Sequence, residues 1–140
     1  MKVITIHRTW MIILAAVFSL GILSCSEDTV DNIGRDTALN IIRANKWFDV
    51  VQTTSVAGAI SETKVLVGEG GTLEFKSDNF AYVFSDGETV SYPYTLETNK
   101  RMVFDGKTYE IQESIIQTVT RLTLVNNEAG VTTTIVFRRR

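Results

Sequence analysis

The spacing of polar and apolar positions changes character twice along this chain. Trp10 to Ile22 (WMIILAAVFSLGI) is an uncharged run of 13 residues. Thr37 to Asn45 (TALNIIRAN) then places Leu39, Ile41 and Ile42 on one side at helical spacing, with Asp36 positioned as a cap. About two and a half turns are marginal in isolation, so this helix needs a surface to pack on. From Lys46 onward the pattern is that of short strands.

Lys46 to Thr54 (KWFDVVQTT) is rich in aromatic and β-branched residues, which fit a pleated, half-buried surface. A weaker strand, Thr63 to Val67, leads into Gly68-Glu69-Gly70-Gly71, a flexible turn. Thr72 to Lys76 follows, then a turn at Ser77-Asp78, then Asn79 to Ser85, where Phe80, Tyr82 and Phe84 alternate with Ala81 and Val83. Asp86-Gly87 and Asp105-Gly106 are hairpin signals, because a primed turn needs positive φ at both central positions. The strands Glu88 to Glu97, Arg101 to Phe104 and Thr108 to Gln112 lie around them, with a turn at Thr98-Asn99-Lys100. Pro93 lacks a backbone donor and predicts a bulge or an unpaired position. Ile115 to Val125 reads as one long strand, with Ile116, Leu122 and Leu124 on one face and Val119 and Arg121 on the other. Asn126 to Gly130 turns the chain into Val131 to Arg138.

Eight or nine short strands joined by local turns predict an antiparallel meander. So many sequential hairpins need closure or a second layer to protect their edges. The expected fold is therefore all-β: an antiparallel up-and-down barrel of about eight strands with one short N-terminal helix. The interior of a barrel that size is either filled by side chains or holds one small ligand.

The first residues set a location. Lys2, His7 and Arg8 precede the apolar run, and small or polar residues follow it up to Ser24. A basic start, a short apolar segment and a small-residue boundary make a secretory signal peptide over residues 1–24. As a helix the run would reach only about 20 Å, short of a hydrocarbon core of about 30 Å. Ile22-Leu23-Ser24-Cys25 resembles a bacterial lipobox, with an aliphatic residue three places before the cysteine and a small one directly before it. That resemblance implies cleavage before Cys25, lipidation of its thiol, and a membrane partner reached through acyl chains, each CH₂ contributing about 0.8 kcal/mol when buried. Ser26 to Asp31 (SEDTVD) resembles the acidic export signal of Bacteroidota surface lipoproteins. The expected organisation is a leader at 1–24, an acidic flexible tether at 25–35 and a barrel domain at 36–140. The expected address is the outer membrane of a bacterial envelope, with the domain exposed at the surface.

Composition narrows the chemistry. Removal of the leader's 24 residues takes Lys2 and Arg8 from 14 basic residues and leaves 12 against 16 acidic ones. That balance argues against nucleic acid as a partner, and Arg138-Arg139-Arg140 reads as a solvated terminus. The one histidine (His7) leaves with the leader, and the one cysteine is Cys25. Neither Ser-His-Asp nor Cys-His catalysis, nor a zinc site built on His or Cys, is then available. Asp49, Glu74, Asp78, Asp86, Glu97 and Asp105 lie beside turns and strand ends, where solvated acids are the ordinary case. No catalytic residue, metal site or cofactor is expected.

The short helix before the first strand, Lys46-Trp47 at that strand's beginning, and the closing Val136-Phe137-Arg138 resemble the lipocalin-like small barrel domains of Bacteroidota lipoproteins. The resemblance covers Asp36 to Arg140. It implies a closed barrel end plugged by Trp47, with Arg138 stacked near it, and an apolar cavity at the other end. Trp47, Phe75, Tyr82, Phe84, Tyr94 and Phe104 would then line a pocket for a small apolar ligand. The residues themselves leave a second reading open, in which these aromatics simply fill the core and the outer surface docks to a larger envelope complex. The sequence names no protein partner.

Overall fold

The computed structural model describes residues 27–117 and 120–140. Asp31–Arg140 forms one compact unit. The leader, Cys25 and Val119 lie outside the described residues.

Among the described residues, one helix, α1 (Glu27–Ala44), precedes nine strands: β1 (Lys46–Val56), β2 (Ala59–Val67), β3 (Thr72–Phe75), β4 (Phe80–Ser85), β5 (Glu88–Thr98), β6 (Arg101–Phe104), β7 (Lys107–Ile111), β8 (Arg121–Glu128) and β9 (Val131–Arg138). All pairings are antiparallel and β1 also pairs with β9. Strand β1 and strands β3 to β9 thus form a closed eight-stranded up-and-down barrel, with β2 as an additional strand.

The extra strand arises from β1, which is long enough for two successive partners on one edge. Lys46 and Trp47 pair with β3, whereas Val50 to Val56 pair with β2. Between β2 and β3 the chain makes a tight loop in which the Gly71 amide donates to the Gly68 carbonyl at 3.2 Å. A Cβ on Gly71 would stand 3.2 Å from the Phe84 carbonyl oxygen, so a side chain here would require this backbone to give by a few tenths of an ångström.

Hairpin tips supply most of the remaining turns. Ala57-Gly58, Asp86-Gly87, Asp105-Gly106 and Ala129-Gly130 all have positive φ at both residues, the geometry of a primed turn that matches strand twist. The two Asp-Gly turns fall where the sequence predicts them. The two Ala-Gly turns are less legible, because alanine gives no local signal for positive φ.

Strand alternation sends one apolar set inward. Val50, Leu73, Phe75, Met102, Phe104, Leu122, Leu124, Ile135 and Phe137 are buried, and Ala38 and Ile42 of α1 join them. Leu39 and Ile41 pack against the same core, as the helical spacing requires. The helix itself starts nine residues before the predicted Asp36 cap, at Glu27, and so runs through the segment read as a tether. Asp36 is a solvent-facing helical residue paired with Arg35 at 3.0 Å, so its capping chemistry is not used.

A second correction concerns Ile115 to Val125. Among the described residues of this stretch, strand begins at Arg121, and residues 115–117 form a turn. Leu122 and Leu124 share a face as predicted, and it is the buried one, but Ile116 is exposed, while Ile115 is buried. Glu113 holds this loop against β8. Its carboxylate accepts the Thr123 amide at 2.6 Å and hydroxyl at 2.5 Å, and Arg121 Nε at 3.2 Å. Pro93 forms no bulge. It pairs with Phe80, and its carbonyl accepts the Asp105 amide at 2.8 Å, on the side where β6 gives way to a turn. The absent N–H therefore faces a position where the ladder ends.

Candidate functional site

Phe75 stands at the centre of the barrel's helix end. Its ring lies 4.8 Å from Tyr94, 5.7 Å from Phe137, 6.4 Å from Phe104 and 6.5 Å from Trp47. Three of these contacts are edge-to-face, the arrangement that aligns ring edges with the negative faces of neighbours. Trp47 also meets Phe137 edge-on at 6.2 Å, and its indole N–H donates to the Ile42 carbonyl at 3.1 Å. Helix α1 is thereby fastened over the end that Trp47 closes.

Two of the side chains expected to line a pocket, Tyr82 and Phe84, are on the outside. Ala81 pairs with Phe75 and is buried, so the pleat turns Phe80, Tyr82 and Phe84 outward. Both faces of this strand are apolar, and the bulk of Phe75 admits only the small one. The other four, Trp47, Phe75, Tyr94 and Phe104, come together inside as a packed cluster. Arg138 is not beside Trp47. It is exposed and pairs with Phe48 and Arg121, because Phe137 takes the inward position next to it.

Two other arginines carry the aromatic contacts. Arg43 lies 5.9 Å from the Tyr94 ring centre, donates from Nε to the Tyr94 hydroxyl at 2.7 Å, and reaches Asn79 Oδ1 at 3.2 Å. The Tyr94 hydroxyl donates in turn to the Lys76 carbonyl at 2.7 Å. Burial pushes the Tyr94 phenol above its ordinary pKa, with Arg43 opposing the shift. Arg140 stacks 5.2 Å from the Phe48 ring centre and meets the Asp49 carboxylate at 3.3 Å. Asp49 has a positive φ at a register shift between β1 and β9, an irregularity that strand patterns do not announce.

Outside, Phe80, Tyr82 and Phe84 form a ladder with ring centres 6.4 Å apart at each step. By register, Thr72 and Glu74 flank it on β3, and Thr89, Ser91 and Pro93 on β5. The Tyr82 hydroxyl donates to Asp78 Oδ2 at 2.5 Å, while Asp78 Oδ1 accepts the Phe80 amide at 3.0 Å. That hydroxyl bond holds the Asp78 carboxyl below its usual range and raises the Tyr82 phenol.

Surface depressions complete the picture. One of about 310 Å³ lies among Thr98, Lys100, Arg101, Glu110 and Ile111, and one of about 370 Å³ lies beside Phe84 and the Asp86-Gly87 turn. Toward the β1–β2 and β8–β9 tips the inward-facing positions become polar. Register places Gln52 across from Ile135 and Lys64, and Thr54 across from Thr133 and Glu62. Among the described residues, no helix is long and apolar enough to cross a membrane, and no three His, Cys, Asp or Glu side chains converge as metal ligands. The chain matches no protein-family model, no curated protein and no solved structure.

Proposed function

We propose that this protein is a non-catalytic, lipid-anchored envelope module that works through the outer face of a filled barrel. The observation that carries this reading is the packing around Phe75, whose four aromatic neighbours occupy the space a lipophilic ligand would need. The polar turn of the inner face toward the hairpin tips also favours it, since a small apolar ligand would meet Gln52, Thr54 and Thr133 there. The Phe80–Tyr82–Phe84 ladder gives the outer face a contact surface rich in the residues that dominate binding energy at interfaces. Anchoring is carried by the lipobox-like Ile22-Leu23-Ser24-Cys25, and surface export by the acids that follow.

Fractionation of expressing cells tests the anchor. The protein is expected in the membrane pellet with acyl mass on Cys25, and Cys25→Ser should release it to the soluble fraction. An unmodified sulfur in the membrane form would overturn the assignment. A fluorescent fatty acid distinguishes the barrel's two uses: no saturable binding is expected, and stoichiometric binding would establish the ligand-carrier reading instead. Photo-crosslinking from position 84 in intact cells should give protein or polymer adducts that position 137, inside the barrel, does not.

A further inference from the structure

We propose that β2 is a self-pairing edge, through which two copies of this chain join into one continuous sheet. Strand β2 has β1 as its single neighbour among the described residues, and every other strand has at least two. Its backbone donors and acceptors on the far side therefore meet no partner strand among the described residues, over a strand exposed from Ala59 to Val65. Ile60 and Val65 are 71% and 59% exposed, the first and third most exposed of the large hydrophobic side chains described.

The charges on this edge select one partner and one register. Glu62 and Lys64 sit across from Thr54 and Gln52, two residues apart and on the same face. An antiparallel copy of β2 about a two-fold axis at Thr63 sets each Glu62 opposite the other chain's Lys64, twice per dimer. Centring the pair on Glu62 would oppose two glutamates, and centring it on Lys64 would oppose two lysines. A slip of one residue misaligns the hydrogen-bonding groups altogether. Lysine on a strand edge ordinarily discourages pairing; with glutamate two places away, the register centred on Thr63 is the one that sets each of these charges opposite its counter-charge. The inference is independent of the lipid anchor and of the outer aromatic ladder.

The test uses the full chain extracted in a non-ionic detergent, with mass measured by sedimentation. A dimer is expected. Glu62→Lys alone or Lys64→Glu alone should weaken it at least about tenfold, since each turns two attractive cross-strand pairs into repulsive ones. The double exchange Glu62→Lys with Lys64→Glu should restore it. Both side chains are exposed, so the variants should melt like the parent by circular dichroism. As a second reading, Thr63→Cys should form a linked dimer on mild oxidation beyond any formed by the parent chain, because Thr63 faces its own copy across about 5 Å. Ile60→Cys should not. A monomeric parent at about 100 μM, a dimer indifferent to the single reversals, or an exchange variant that stays monomeric would overturn the proposal. So would a complex in which β2 is covered by a different protein.

Discussion

Replacing Phe75 by alanine puts the filled interior to a direct test. The ring sits against Trp47, Tyr94, Phe104 and Phe137, and the residue is 1% exposed. Truncating a buried phenylalanine costs about 3–5 kcal/mol, from lost transfer energy and the cavity left behind. Part of that is the loss of edge-to-face contacts, each worth about 0.5–1.5 kcal/mol beyond the area buried. The barrel's closed hydrogen-bond ladder limits collapse into the void, so the upper half of the range, about 4–5 kcal/mol, is expected. That is a large share of the 5–15 kcal/mol typical of a whole domain. In a domain of this size it should lower the melting temperature by roughly 15–25 °C. Urea unfolding followed by far-UV circular dichroism measures it, with Phe84→Ala as the matched control on the outer face. Phe84 is 39% exposed, and its truncation should cost less than about 1 kcal/mol. Near-equal costs for the two variants, or a loss at Phe75 below about 1 kcal/mol, would mean that the interior already holds free volume and would refute the reasoning.

Other outcomes follow from the same geometry. Ala57→Asn and Ala129→Asn should each raise stability by a few tenths to about 1 kcal/mol in urea, because asparagine tolerates the positive φ of these turns better than alanine. Stability should fall as pH rises above about 10. The neutral Tyr94 phenol is favoured in the fold, so its contribution is complete below the unfolded pKa of about 10 and is lost as pH climbs toward the raised folded value. Tyr94→Phe should flatten this alkaline limb in a pH series of melts while costing about 1–2 kcal/mol near neutrality through lost hydrogen bonds. Glu113→Ala leaves the Thr123 amide and hydroxyl without their acceptor and should cost about 1–3 kcal/mol, with faster amide exchange confined to residues 112–123.

The arrangement of strands was open to reading from the chain because its determinants are local. Asp86-Gly87 and Asp105-Gly106 demand positive φ where they stand, and apolar residues two apart mark a strand wherever it pairs. Leu39, Ile41 and Ile42 likewise announced the packed side of α1. A period of two, however, states that side chains alternate and not which set faces in. On β4, with Ala81 and Val83 on one side and Phe80, Tyr82 and Phe84 on the other, that choice belonged to the space left beside Phe75 on the neighbouring strand β3. Closure of β1 on β9, the stranding of β2 at an open edge, and the reach of Arg43 to Tyr94 and Arg140 to Phe48 join residues far apart in the chain. Such contacts depend on the packing of the whole barrel, which no short stretch of residues encodes.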